Sequence, residues 1–300
     1  MLRVRGSLKK KLVPSSGLLD TAIEPPTRSI FARTTSMPTP RPETEHLVDE
    51  AIALANSTKF GLSAGIFTQN VDWAMRYGSP SIPDRLQALK NSGCERILLA
   101  PLYPQYCSAT TATVVDKANE WMAAQRWQPS LRTLPPYHDD PLYIDALAAD
   151  ISRQLDALAF TPELLLLSFH GMPARTLELG DPYHCHCHKT ARLLEERMAR
   201  EGLRFRTSFQ SRFGRAKWLE PATDAVLAEE AQAGTRRLAV VAPGFSADCL
   251  ETLEELAIQG HEQFAEAGGE QFAALTCLNT SAAGLTMLEA LLRRECGGWI

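Results

Sequence analysis

The sequence predicts an α/β protein whose parallel sheets are covered by helices on both faces. Three observations carry that prediction. Strand-like and helix-like segments alternate six times between Arg96 and Glu295, the pattern that parallel strands joined by crossover helices require. The strand candidates are short continuous apolar runs, the longest being Leu164–Phe169 and Leu238–Pro243, which suits strands buried on both faces. Apolar residues make up 45% of the 300-residue chain and charged residues 22%. That is enough apolar material for a core and too little charge for wholesale disorder, and the length suggests two domains of ordinary size.

The elements follow in order. Arg96–Leu102 reads as a Leu-rich strand and Thr110–Gln125 as an amphipathic helix. Ser130–Leu134 is a second strand, followed by a helix over Pro141–Leu158 whose leading Pro falls where a missing N–H costs nothing. Then come strand Glu163–Phe169, helix His184–Arg200, strand Arg204–Phe209 and helix Thr223–Ala233. Strand Arg237–Ala242, helix Ala247–Ala267, strand Gln271–Leu278 and helix Ala282–Glu295 complete the series. Upstream of Met75 the pattern is less regular. It suggests a helix over Val48–Asn56, a turn at Gly61, a strand over Ser63–Thr68 and the start of a further helix before Met75. Residues 1–43 carry six prolines and eight Lys or Arg against three Asp or Glu, a local charge of +5 that leaves −9 to the rest of a chain whose total is −4. Without apolar periodicity or a signal-peptide core, residues 1–46 are expected to be a disordered basic leader.

Several function classes are excluded early. A net charge of −4 and a pI near 6.0 do not fit a nucleic-acid binder, and no apolar stretch reaches the roughly 18 residues of a membrane helix. Neither GxGxxG nor a Walker sequence follows any strand, so no dinucleotide or nucleoside triphosphate site is expected. Seven cysteines, an odd and modest number, suggest a reducing compartment rather than a disulfide framework.

In a doubly wound sheet, ligands bind beyond the carboxyl ends of the strands. The loops there are polar and aromatic: YPQYCSATT (Tyr103–Thr111), SFHGMP (Ser168–Pro173), FQSRFGRAKWLEP (Phe209–Pro221) and APGFSADCLETLEE (Ala242–Glu255). Together they place His170, Glu251, Trp218, Tyr103, Tyr106 and Phe245 at one sheet edge. An imidazole takes a proton near pH 7 or binds a borderline metal. Glu251 falls in the first turn of its helix, near the positive end of the dipole, with Glu254 beside it and Glu255 four residues on, on the same face. A lone histidine facing a ladder of carboxylates among flat rings suits a large planar ligand and a divalent ion. On pattern alone, a solvated helix face and a strand-capping histidine account for the same residues.

Six motifs in order shift that balance: YGSPSI, LYPQYCSATT, LSFHGMP, GDPYHCHCHKTARLL, SFQSRFGRAKWLEPATD, and the stretch from APGFSADCLETLEE to TCLN. Together they resemble the ferrochelatase family from about Met75 to the C-terminus. The resemblance implies a class II chelatase-like fold of two Rossmann-like halves around a porphyrin cleft, with residues 75–158 in the first half and 159–281 in the second. Helix 282–300 would return to pack on the first. It implies insertion of Fe²⁺ into protoporphyrin IX to form protohaem, with ferrous iron as substrate and no required cofactor. His170 then matches the essential histidine and Glu251 the carboxylate across the macrocycle, both in reach of the metal, with Glu255 continuing the acidic line. Tyr106, Ser108, Trp218 and Phe245 match the porphyrin wall, and Gln210 and Ser211 lie beside the pocket. The resemblance also implies a cytoplasmic bacterial location, with peripheral contact with the inner membrane and the oligomeric state left open.

Two stretches stand apart. His184-Cys185-His186-Cys187-His188 looks like a metal trap, yet alternate residues on a helix cannot all face one ion, and Cys185 and Cys187 point to different faces. A [2Fe–2S] cluster is not expected, because the tail RRECGGWI holds only Cys296. Over residues 47–74, EAIALANSTKFGLSAGIFTQN resembles a piece of the aldehyde dehydrogenase family, without that family's nucleophile or cofactor regions. The founding strands and cleft lip of a ferrochelatase are expected to be missing upstream of Met75. That leaves the first half incomplete at its N-terminus and suggests a fusion or chimeric reading frame. Three alternatives follow: an inactive porphyrin-binding remnant, a class II chelatase for another tetrapyrrole, and, last, an aldehyde dehydrogenase.

Overall fold

The computed structural model describes the backbone of residues 28–33 and the full residues 71–299. Its second half is a four-stranded parallel sheet in the order β6-β5-β7-β8, formed by β5 (Leu164–His170), β6 (Arg204–Gln210), β7 (Arg237–Val241) and β8 (Gln271–Ala274). The first half holds β1 (Arg28–Arg33), β2 (Val71–Met75), β3 (Arg96–Pro101) and β4 (Ser130–Thr133) in the order β2-β1-β3-β4. In this sheet β3 and β4 are parallel, and β1 runs antiparallel to both of its neighbours.

The central strand β5 shows why the chain folds this way. Its first six residues, Leu-Leu-Leu-Leu-Ser-Phe, are buried on both faces, because β6 and β7 satisfy its backbone on either side while helices cover it above and below. Leu165, Leu167 and Phe169 join one core cluster, and Leu164 and Leu166 join another on the opposite face. The first of these clusters also takes in Leu98 and Ala100 of β3, so the two sheets share a core.

The helices are α1 (Ile82–Asn91), α2 (Thr111–Ala123), α3 (Pro141–Asp156), α4 (Ala174–Glu178), α5 (Tyr183–Met198), α6 (Thr223–Gln232), α7 (Gly260–Glu266) and α8 (Ala282–Glu295). Before α7 lies a π-helical segment, Glu251–Gln259. The C-terminal α8 packs against α3. Arg294 pairs with Asp140 at 2.7 Å, Arg132 donates to the carbonyls of Glu295 and Gly297, and Arg96 donates to that of Trp299 at 2.9 Å.

Besides the short helix α4, which the sequence reading does not expect, the structure departs from that reading in four places. Arg28–Arg33, expected within an unstructured leader, forms β1. Val71–Met75, expected to begin a helix, is an edge strand that pairs with β1 through Trp73 opposite Ile30. Helix α1 was not expected, although Ser81 caps it by accepting from the Asp84 amide, with Pro83 in the first turn. The single helix expected over Ala247–Ala267 is instead the π-helical segment followed by α7. The helix over Val48–Asn56 and the strand over Ser63–Thr68 lie outside the described residues.

At the base of the second sheet, the carboxylate of Glu230 accepts from Arg204 at 2.8 Å, Arg206 at 2.8 Å and Thr235 at 2.8 Å. Burial raises its pKa, but these hydrogen bonds outweigh burial and hold it at about 2. A carboxyl depressed in the fold stabilises above its unfolded value of 4.5, and that contribution is lost as pH falls through about 2. Glu230→Gln is expected to cost about 1–3 kcal/mol at neutral pH. Between pH 4.5 and 2 its melting temperature should fall less steeply than that of the parent; equal slopes in parallel thermal scans would mean that the network is inert.

Candidate active site

His170 ends β5, opposite Gln210 at the end of β6. Its Nδ1 is buried and has no hydrogen-bond partner among the described residues. Burial lowers the pKa of the imidazole, while the negative charge of Glu251 pulls it back up. The ring of Phe245 lies 6.1 Å away and inclined by only 25°. Behind His170, the buried Tyr183 donates its hydroxyl to the His170 carbonyl at 3.0 Å.

Glu251 opens the π-helical segment, only 8% exposed, with its Oε2 also unpartnered among the described residues. Wide i→i+5 turns are uncommon and concentrate at functional sites; here the Gly260 amide donates to the Glu255 carbonyl, five residues back. The segment is held from below. Ser168 donates to Gln210 Oε1 at 2.8 Å, and Gln210 Nε2 donates to the Glu251 carbonyl at 3.3 Å. Asp248 accepts from Thr252, from the Cys277 amide and from Asn279 at 3.1, 3.1 and 2.6 Å, which fixes the turn entering the segment. Burial, reinforced by the Glu251 carboxylate, pushes the Cys249 thiol up to about 12, so it stays protonated beside that acid.

Glu255 has a different environment. Its two carboxylate oxygens accept from the amide and the hydroxyl of Ser211, both at 2.6 Å, and Ser211 sits in the left-handed region at φ +64. The acid thus clamps a backbone conformation that serine adopts only when held. Gln210, Ser211, Asp224, Glu255, Gln259 and Gln263 help line a polar cavity of about 230 Å³ that neither His170 nor Glu251 borders. Trp218 returns to the His170 group. Its Cε3 would stand 3.3 Å from a Cβ placed on Gly171, it bridges to Pro173, and its indole N–H donates to the Phe213 carbonyl at 2.9 Å.

Tyr106 and Ser108 are held by another set of partners. The Tyr106 amide donates to His186 Nδ1 at 3.2 Å and the Ser108 amide to Asp181 Oδ2 at 2.6 Å. Asp181 Oδ1 also accepts from the Tyr183 amide at 3.0 Å, at the start of α5. His186 stacks on His138 with ring centroids 3.5 Å apart, and burial keeps both below the ordinary histidine range. Cys187 is buried and Cys185 exposed, on different faces as their spacing suggests.

The structure therefore joins His170, Glu251, Gln210, Phe245 and Trp218 into one group. It gives Glu255 and Ser211 to each other and suspends the Tyr106–Ser108 loop from α5. The sequence reading missed Tyr183, Asp181, His186 and Cys249 as supports. An Asp-Pro pair at a helix start is a capping signal, and it could have pointed to Asp181.

A family model described as Ferrochelatase matches residues 46–296. A ferrochelatase from Rhizobium meliloti (strain 1021) is 57% identical over 230 residues, covering 77% of this chain and 68% of that protein. One from Methylocella silvestris is 51% identical over 244 residues, 81% of this chain and 69% of that protein. Among solved structures, "SirB from Bacillus subtilis with Fe3+" superposes with a TM-score of 0.56 at 11% identity, covering 87% of this chain and 93% of that one, a likeness of fold alone. The family match takes in residues 47–74, for which the expected aldehyde dehydrogenase resemblance finds no support.

Proposed function

Because the chain belongs to the ferrochelatase family, we propose that it inserts ferrous iron into protoporphyrin IX, with His170 and Glu251 as the groups that meet the reacting centre. One observation carries the assignment of residues. His170 Nδ1 and Glu251 Oε2 are both buried and unpartnered among the described residues, at the end of a central strand and beside a ring nearly parallel to the imidazole. Burying two such groups without partners is costly, and a substrate that supplies protons and a cation relieves both.

The chemistry needs two N–H protons to leave the macrocycle and a hydrated cation to shed water. His170 is kept neutral by burial and accepts a proton at pH 7. Glu251 offers an oxygen donor that replaces water on Fe²⁺ and lets it go again. Phe245 and Trp218 supply flat faces for the ring, and the rigid supports beneath Glu251 and His170 allow a puckered macrocycle to be favoured over a flat one. Tyr106 and Ser108 form the opposite wall. In this reading Glu255 acts through Ser211, shaping the loop beside the pocket. Exposed Leu250, Leu253 and Phe213 support peripheral contact of a cytoplasmic protein with a membrane; among the described residues, no helix is long and apolar enough to cross one.

The test is zinc or iron insertion into protoporphyrin, followed by porphyrin fluorescence. Turnover is expected. Porphyrin binding without turnover would point to a binding remnant, and turnover only with another tetrapyrrole would point to a different class II chelatase.

A further inference from the structure

The His-Cys run at the start of α5 serves several purposes, and one pair of residues is left over. His186 holds the Tyr106 amide and Cys187 packs into the core. His184 and His188, one turn apart, bring their Nε2 atoms to 3.2 Å, with ring centroids 4.4 Å apart and planes inclined by 58°. Both rings rest on Phe209, a fully buried residue of β6, His184 nearly parallel at 5.6 Å and His188 edge-on at 5.9 Å. Their positions are thus set by the sheet rather than by the helix surface alone.

Two neutral imidazoles meeting through Nε2 share one proton between two lone pairs. A cation in place of that proton would use both. With metal–nitrogen distances of about 2.0–2.1 Å, two nitrogens on a tetrahedral ion lie about 3.3–3.4 Å apart, a few tenths of an ångström from the spacing here. Among the described residues no group of three or more His, Cys, Asp or Glu completes a coordination shell, so an ion held by this pair would take water in its remaining positions.

We propose that His184 and His188 form a two-histidine site for a borderline divalent cation such as Zn²⁺, Ni²⁺ or Cu²⁺, separate from the His170–Glu251 pair. Imidazole ligands rank Fe²⁺ below these ions, so the site selects against the cation proposed as substrate.

The experiment is calorimetric titration of the full chain with Zn²⁺ above pH 7, in the parent and in His184→Ala, His188→Gln, Cys185→Ser and His170→Ala variants. His188 is exposed, so its replacement is expected to leave the fold intact, which circular dichroism would verify. The parent is expected to take up one equivalent that His184→Ala and His188→Gln lose and the other two variants keep. Unchanged uptake in the His184 and His188 variants would overturn the proposal. So would loss of that uptake in Cys185→Ser, which would assign the ion to the exposed thiol, or in His170→Ala, which would assign it to the reacting centre.

Discussion

His170→Ala is expected to lower metal insertion into protoporphyrin by roughly two to four orders of magnitude, the range for removing a positioned acid–base group, while porphyrin binding persists. The pH profile gives a sharper check. Burial holds His170 below the ordinary histidine value of 6.5, so the base form survives to lower pH and the acid limb of the rate profile should lie below 6.5. The charge of Glu251 works the other way and raises that pKa. Glu251→Gln should therefore slow insertion and also move the acid limb to still lower pH. A limb that moved upward, or stayed fixed, would show that another group sets the profile.

Gly171→Ala is expected to have the next largest effect. A Cβ there would stand 2.4 Å from the Gln210 carbonyl oxygen and 3.3 Å from Trp218 Cε3. The first neighbour is backbone, and the Gly171 amide already donates to that same oxygen at 2.8 Å. The ends of β5 and β6 must therefore part. We expect a loss of about 1–3 kcal/mol in stability from the overpacking. Because His170 and Trp218 flank the strained point, we also expect about a hundredfold loss in kcat, the scale of a 1 Å misplacement. Thermal unfolding and steady-state rates separate the two effects; a variant with parental kcat would mean that the close approach does not set the position of His170.

Much of the second half was legible because its signals are local. A run such as Leu-Leu-Leu-Leu-Ser-Phe-His states a doubly buried strand and the point where it surfaces, and His170 follows from that reading. What escaped depends on distant partners or on backbone geometry that residue type does not encode. Val71–Met75 becomes a strand only because β1 pairs with it. The π-helical turns over Glu251–Gln259 have the apolar spacing of any amphipathic helix, so an even ladder of Glu251 and Glu255 was the natural expectation. The structure gives the two acids different environments, one paired with Ser211 and one with an open oxygen. The supports at Asp181 and His186 act across 73 and 80 residues of chain, beyond what periodicity carries.

The two halves are stitched together by side-chain hydrogen bonds. Ser246, after β7, donates to the Leu102 carbonyl beyond β3 at 2.8 Å, and Tyr143 of α3 donates to the Pro243 carbonyl. Beneath these bonds the halves share a core, and α3 of the first half packs against α5 of the second. Hinged closure needs a seam that few side chains cross, and this one is crossed by hydrogen bonds, packing and a helix. The two halves therefore have little freedom to move apart there. Leu179, Phe213, Leu250 and Leu253 stand exposed, and under the proposed function flexing that admits a macrocycle would fall to such surface groups, while His170 and Glu251 belong to the same half and are not carried apart by a movement between halves.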